Sequence, residues 1–161
     1  MCLYKRIIRG GANKKTAITN CLKTSGNDIT CYKVIKRNHN WFPFSGVTPY
    51  RYTPVSLKML LGRENLSSGY SGSELISKLI SSTEVIDYSG EDFTYVFGEG
   101  LIHTFKKRDD AFPETYGCRG ENFDIWECII PAGVQYVEGN VNEEYEGYGS
   151  AEIKFIRRIR K

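Results

Sequence analysis

The chain is poor in the residues that most often advertise chemistry. It has two histidines and two methionines among 161 residues, and its five cysteines (Cys2, Cys21, Cys31, Cys118 and Cys128) show no CxxC spacing. That spacing argues against a zinc site. The odd cysteine count argues against a closed disulfide framework, so a reduced, cytoplasmic setting is expected. Cys128, inside the apolar run "IWECII", reads as a buried small hydrophobe. No apolar run approaches the ~20 residues of a membrane-spanning helix. The start "MCLYKRIIRGG" is broken by Lys5, Arg6 and Arg9 and has no signal-peptide apolar core. A net charge of +3 is small, and nucleic acid is not an expected partner. Walker, Rossmann, nucleophile-elbow and metal-triad patterns are all missing.

What remains is an ordinary globular composition with an excess of strand formers. The chain is 40% hydrophobic and 25% charged, with 11 tyrosines and 8 phenylalanines, which suits one domain rich in β-structure. Residues 1–30, with "GGANKKTAITN" and "KTSGND", read as an N-terminal strand or arm followed by turns. The core domain is expected over 31–161. "ITCYKVIKR" (29–37) alternates, with Ile29, Cys31, Lys33 and Ile35 on one side. "TPVSLKMLLG" has helix grammar, with Thr53 as N-cap, Pro54 at the first helical position and Gly62 past the end. "SGSELISKLISS" is a second helix, with Ser71 and Glu74 spaced as a capping box and Leu75, Ile76, Leu79 and Ile80 as its stripe. "DFTYVFGEGLIHTF" reads as a hairpin turning near Gly98-Glu99-Gly100. "DIWECIIP" reads as a central strand over 124–130, flanked by 100–105 and 150–156, and "YGSAEIKFIRRI" as the last strand. The expected class is α+β: a mixed or mostly antiparallel sheet with two short helices in the N-terminal half.

The candidate site residues each have a plainer alternative. His103 stands at a strand end where a base or ligand donor could sit, or where an imidazole simply bonds backbone at a sheet edge. His39, in "RNHNW", reads as solvated. The glutamates of "NEEYEGYGSAE" could raise one another's pKa, but such a run is usually a solvated loop; Glu152 differs in following it into a strand. Arg51, among the aromatics of "TPYRY", could accompany base stacking. The basic end "KFIRRIRK" could meet phosphate, or protect a sheet edge.

The order of pieces carries more than any single residue. It runs through Tyr32-Lys33-Val34, helices, a glycine-led strand from Gly100 to a helix start at Asp110-Ala111, Ile130-Pro131-Ala132-Gly133, and a Glu-rich loop into "SAEIKF". This layout resembles the ADP-ribosyltransferase-like proteins of the Arg-Ser-Glu type. The resemblance implies Lys33 at the arginine position, His103, Thr104 and Phe105 in place of Ser-Thr-Ser, and Glu152 (or Glu144 or Glu146) at the glutamate position, with NAD as the ligand. Two of the three signature elements are altered. The arrangement is also similar to small proteins of phages and mobile elements, which implies a context and not a mechanism; a binding role without catalysis or cofactor is compatible with it and is the first reading. Such a protein would neutralise a host defence component, either a protein or a signalling nucleotide, through ligand-binding residues Lys33, Arg51, His103, Thr104 and Glu152.

Overall fold

The computed structural model describes residues 3–8, 13–37, 46–48, 53–87, 92–116 and 123–159. The strands are β1 (Leu3–Ile8), β2 (Lys23–Thr24), β3 (Ile29–Arg37), β4 (Gly46–Val47), β5 (Pro54–Val55), β6 (Leu66–Ser67), β7 (Glu84–Asp87), β8 (Asp92–Phe97), β9 (Ile102–Phe105), β10 (Phe123–Ile130), β11 (Gln135–Val141), β12 (Tyr145–Ser150) and β13 (Glu152–Ile159). Four helices accompany them: α1 (Lys14–Cys21), α2 (Leu57–Leu60), α3 (Gly72–Ser82) and α4 (Arg108–Tyr116). The class is α+β, and every described strand pair is antiparallel. The expectation of two helices is corrected: α1 and α4 are additional.

One sheet runs β6-β13-β10-β3-β9-β12-β11-β1-β8-β7. Its two halves meet at β3 and β9, which share one register pair, Tyr32 with Phe105. By contrast β10 and β3 are paired along eight positions, from Phe123–Lys36 to Ile130–Ile29. The sheet is therefore two wings joined at a narrow seam. On one face a core forms around Leu3, Ile18, Val34, Leu75, Leu79, Phe97, Phe105 and Ile125. Cys31, Ile35, Val55, Leu60, Ile102, Ile130, Ile153 and Phe155 make a second core. Two cores follow from the seam, because side chains alternate along β3: Val34 enters the first, Cys31 and Ile35 the second. α4 packs on β3, β9 and β10 and so ties the wings on the first face.

Several expectations give way to this topology. Within residues 1–30, read as an N-terminal strand or arm followed by turns, β1 lies between β11 and β8, and Leu3 and Ile18 are fully buried. β8 and β9 are not a hairpin. β8 pairs with β7 and β1, and β9 with β12 and β3, so the Gly98–Leu101 link crosses between wings. β10 is flanked by β3 and β13; the expected neighbour at 100–105 is displaced because β3 lies between them. The expected last strand is two, β12 and β13, separated at Ala151. Pro54 belongs to β5, where Val55 reaches the second core, and the α2 cap is Ser56, whose Oγ accepts from Met59 N at 3.3 Å. Ser71 does precede α3 but makes no side-chain cap bond; Gly72 N donates instead to Gln135 Oε1 at 2.9 Å.

Beyond the two residues that pair with β6, β13 protects its own edge. Its register with β10 shifts between Glu127 and Cys128, leaving Ile156 as the extra residue, 45% exposed. A bulge and flanking charges both discourage a further strand from adding there. Two arginines of the basic end face carboxylates: Arg157 Nε lies 2.9 Å from Glu127 Oε2, and Arg158 Nη1 lies 3.9 Å from Asp124 Oδ2. Arg160 and Lys161 lie outside the described residues.

Candidate functional site

A cleft of about 240 Å³ opens beside the seam. It is built from six stretches: Lys33 on β3, Thr48 and Thr53 between β4 and β5, Leu66, Ser67, Ser68 and Tyr70 around β6, Lys78 on α3, the Gly98–Leu101 link, and Ile102-His103 at the start of β9. Strand separation explains the opening, since β3 and β9 part company immediately beyond Tyr32 and Phe105.

Lys33 is the cation of the floor. Its position on β3 points it to the face of Cys31 and Ile35, and only 4% of it is exposed. Its Nζ donates to the His103 carbonyl oxygen at 2.8 Å. The side chain thus spans the gap where backbone pairing between the two strands has stopped. His103, 5% exposed, lines the same cleft. Of the residues singled out in the sequence, Lys33 and His103 both line this cleft.

Two hydroxyls on the cleft wall are preset as donors. Thr48 Oγ1 accepts from Thr53 N at 3.1 Å, and Ser67 Oγ accepts from Gly69 N at 3.0 Å. Each oxygen has one of its two acceptor lone pairs engaged by backbone, and among the described residues neither hydroxyl donates to a protein acceptor. Their protons are available to a guest that accepts hydrogen bonds. Ser68 is different: its hydroxyl bonds Tyr70 O and shapes the local turn. Ser68 N donates to Ala151 O at 2.8 Å and fixes this wall to the β12–β13 corner.

The mouth carries a charge pair. Lys78 Nζ lies 2.8 Å from Glu99 Oε2, with the ammonium 5.6 Å from the centre of the Tyr70 ring. The Glu99 carboxylate pushes the Lys78 pKa up. Gly100 makes this approach possible. Its φ of +89° is left-handed, and a Cβ there would come within 3.2 Å of Lys78 Cγ.

The remaining candidates lie elsewhere. Thr104 is fully buried on the opposite side of β9 from His103, beside the Cys31 thiol. Burial pushes that thiol up to about 12, while the Thr104 hydroxyl and the Lys33 ammonium pull it down. The Cys31–Thr104 contact is a close approach of sulfur and hydroxyl, short of a well-formed hydrogen bond, since Thr104 Oγ1 has no partner of good geometry. Cys128, directly opposite Cys31 in the sheet, is likewise raised, again chiefly by burial. Glu152 heads β13, next to Ser67 in register, but its Oε1 accepts from Asn65 Nδ2 at 2.8 Å and it is not among the cleft residues. Of its rivals, Glu146 pairs with Lys107 at 3.7 Å on an exposed surface. Arg51 and His39 lie outside the described residues.

Thr48, Ser67, Lys78 and Glu99 are not identifiable from sequence alone, because four separate elements bring them together. Among the described residues no three His, Cys, Asp or Glu side chains group so as to hold a metal ion, and no helix is long and apolar enough to cross a membrane. Comparison of the chain with protein-family models, with curated proteins and with solved structures found no match in any of the three.

Proposed function

We propose that the chain is a small cytoplasmic binding protein of phage or mobile-element type that neutralises a host component, with the seam cleft holding an anionic ligand of the signalling-nucleotide class. One observation supports this above the others: a nearly buried ammonium, Lys33, floors a cleft whose Thr48 and Ser67 hydroxyls are left as donors. A low-exposure cation interacts with an anion through less intervening water than a surface lysine does, so the contact is stronger. The test is calorimetric titration with nucleoside mono-, di- and cyclic phosphates. Binding in the wild type, weakened at least tenfold in Thr48→Val and Ser67→Ala together, supports the reading. Equal binding in the double variant refutes it.

A second reading keeps the ADP-ribosyltransferase-like layout and an activity on NAD. Its support is that the strands bearing Lys33 and His103-Thr104-Phe105 are neighbours at the seam. The volume of the cleft speaks against a whole dinucleotide, since pockets enclosing drug-sized ligands run to about 300–1,000 Å³. The Asn65 bond to Glu152 also turns that carboxylate to a structural task. Under this reading the folded protein releases nicotinamide from NAD, and Glu152→Gln abolishes the release. A folded sample that releases none removes it.

A further inference from the structure

The mouth of the cleft contains its own anion. Glu99 and Lys78 both line the opening, 2.8 Å apart, and neither is fully covered: their side chains are 46% and 28% exposed. Any anionic guest that reaches for Lys78 meets a carboxylate already there. Glu99 sits on the Gly98–Leu101 link, which has no ladder partner and is anchored on α3 by the close approach of Gly100 to Lys78, Leu79 and Leu75. Lys33, at the floor, is held in place by its bond to the His103 carbonyl and supplies a fixed positive charge beneath the guest. The exchangeable cation is therefore Lys78.

We propose that Glu99 is a resident competitor in this cleft, and that the ligand class is a compact phosphate monoester whose phosphoryl group takes Lys78 from it. The proposal rests on the anion-binding reading of the cleft and adds its selectivity. A carboxylate carries one negative charge and two acceptor oxygens. A phosphate monoester carries about 1.5–2 charges near neutral pH and three acceptor oxygens. It can satisfy Lys78 together with the Thr48 and Ser67 donors, which one carboxylate on the link does not do in this structure. A phosphodiester, with a single charge, gains less over Glu99. The volume of about 240 Å³ suits a compact guest, such as a phosphoryl group with one sugar or nucleoside.

The experiment is a set of calorimetric titrations with inorganic phosphate, a nucleoside 5′-monophosphate, the corresponding 3′,5′-cyclic diester and NAD. They are run on the wild type, Glu99→Gln, Lys78→Met and the double variant, with circular dichroism confirming each fold. Removing the competitor is expected to tighten monophosphate binding about two- to fivefold, the scale of an exposed ion pair. In the Lys78→Met background, Glu99→Gln is expected to have no further effect. The monoester should bind better than the diester in the wild type, with that preference narrowed in Glu99→Gln. Glu99→Ala provides a second route should the glutamine retain the contact. Wild-type binding that is unchanged or weakened in both Glu99 variants overturns the competitor and leaves the anion site standing. Absence of binding for every phosphate compound in every variant overturns the site and the competitor together.

Discussion

The two opposed thiols at the centre of the sheet make stability fall in alkali. Cys31 and Cys128 face each other across β3 and β10, both with no measurable exposure and both reduced. For Cys31 the folded pKa is about 12 against an ordinary 9.0. Above pH 9 the unfolded chain releases this proton while the folded chain keeps it. The folded state then binds more protons, and the unfolding free energy declines as pH rises. The decline approaches ~1.4 kcal/mol per pH unit for one thiol between the two pKa values. At pH 10 it amounts to about 1–2 kcal/mol for Cys31, and Cys128, also raised by burial, acts in the same direction. Below pH 9 both states hold the proton and the contribution vanishes. Urea denaturation at pH 8, 9 and 10 measures it. Tyrosine and lysine titrations contribute to the raw curves, so the informative quantity is wild type minus Cys31→Ala. The variant loses stability at every pH through its small cavity, but its slope above pH 9 should be shallower by the amount given. Parallel pH dependences for the two proteins refute the assignment of a strongly shifted thiol.

Other expectations follow from the packing. Native protein at pH 8 should leave Cys31 and Cys128 unmodified by a thiol reagent until urea is added, because a buried neutral thiol is a poor nucleophile. Gly147→Ala should lower the urea midpoint, by about 1–3 kcal/mol or more, since its Cβ would sit 2.4 Å from Thr104 O and from Val141 Cγ2. Gly26→Ala, with nothing within 4 Å, is the matched control and should leave the midpoint unchanged. Trp126→Ala should cost about 2–4 kcal/mol: the ring is half-buried and meets Phe155 edge-on at 5.7 Å. An unchanged midpoint would contradict its packing on the second core.

Periodicity made β3 and α3 readable in the amino-acid sequence, because each buries a regular face: Cys31 and Ile35 on one, Leu75 and Leu79 on the other. Lys33, singled out through the resemblance in layout, lines the cleft, and its place in the apolar row of β3 is the local feature that buries it. What periodicity does not report is which strands become neighbours. β8 and β9 are separated by four residues and look like a hairpin, yet their alternating faces are satisfied by β1 and β12. The polar composition of residues 1–30 likewise hid Leu3 and Ile18, two fully buried side chains in a stretch of Lys, Asn and Thr. Glu152 illustrates the reverse error: its place after a Glu-rich loop suggested chemistry, whereas its partner Asn65 is 87 positions away and invisible to local pattern.

The single Tyr32–Phe105 pair has a kinetic meaning as well as an architectural one. Where eight consecutive pairs hold β10 to β3, a local opening must break a ladder; at β3 and β9 the ladder is one rung long. Thermal fluctuations open such a boundary at much lower free energy than global unfolding. Amide hydrogen exchange should accordingly divide the protein into two blocks, with β3, β10 and β13 protected as one cooperative unit and β9, β12, β11, β1 and β8 as another. The boundary between the blocks would be the line that α4 crosses on one side and the Lys33 ammonium on the other.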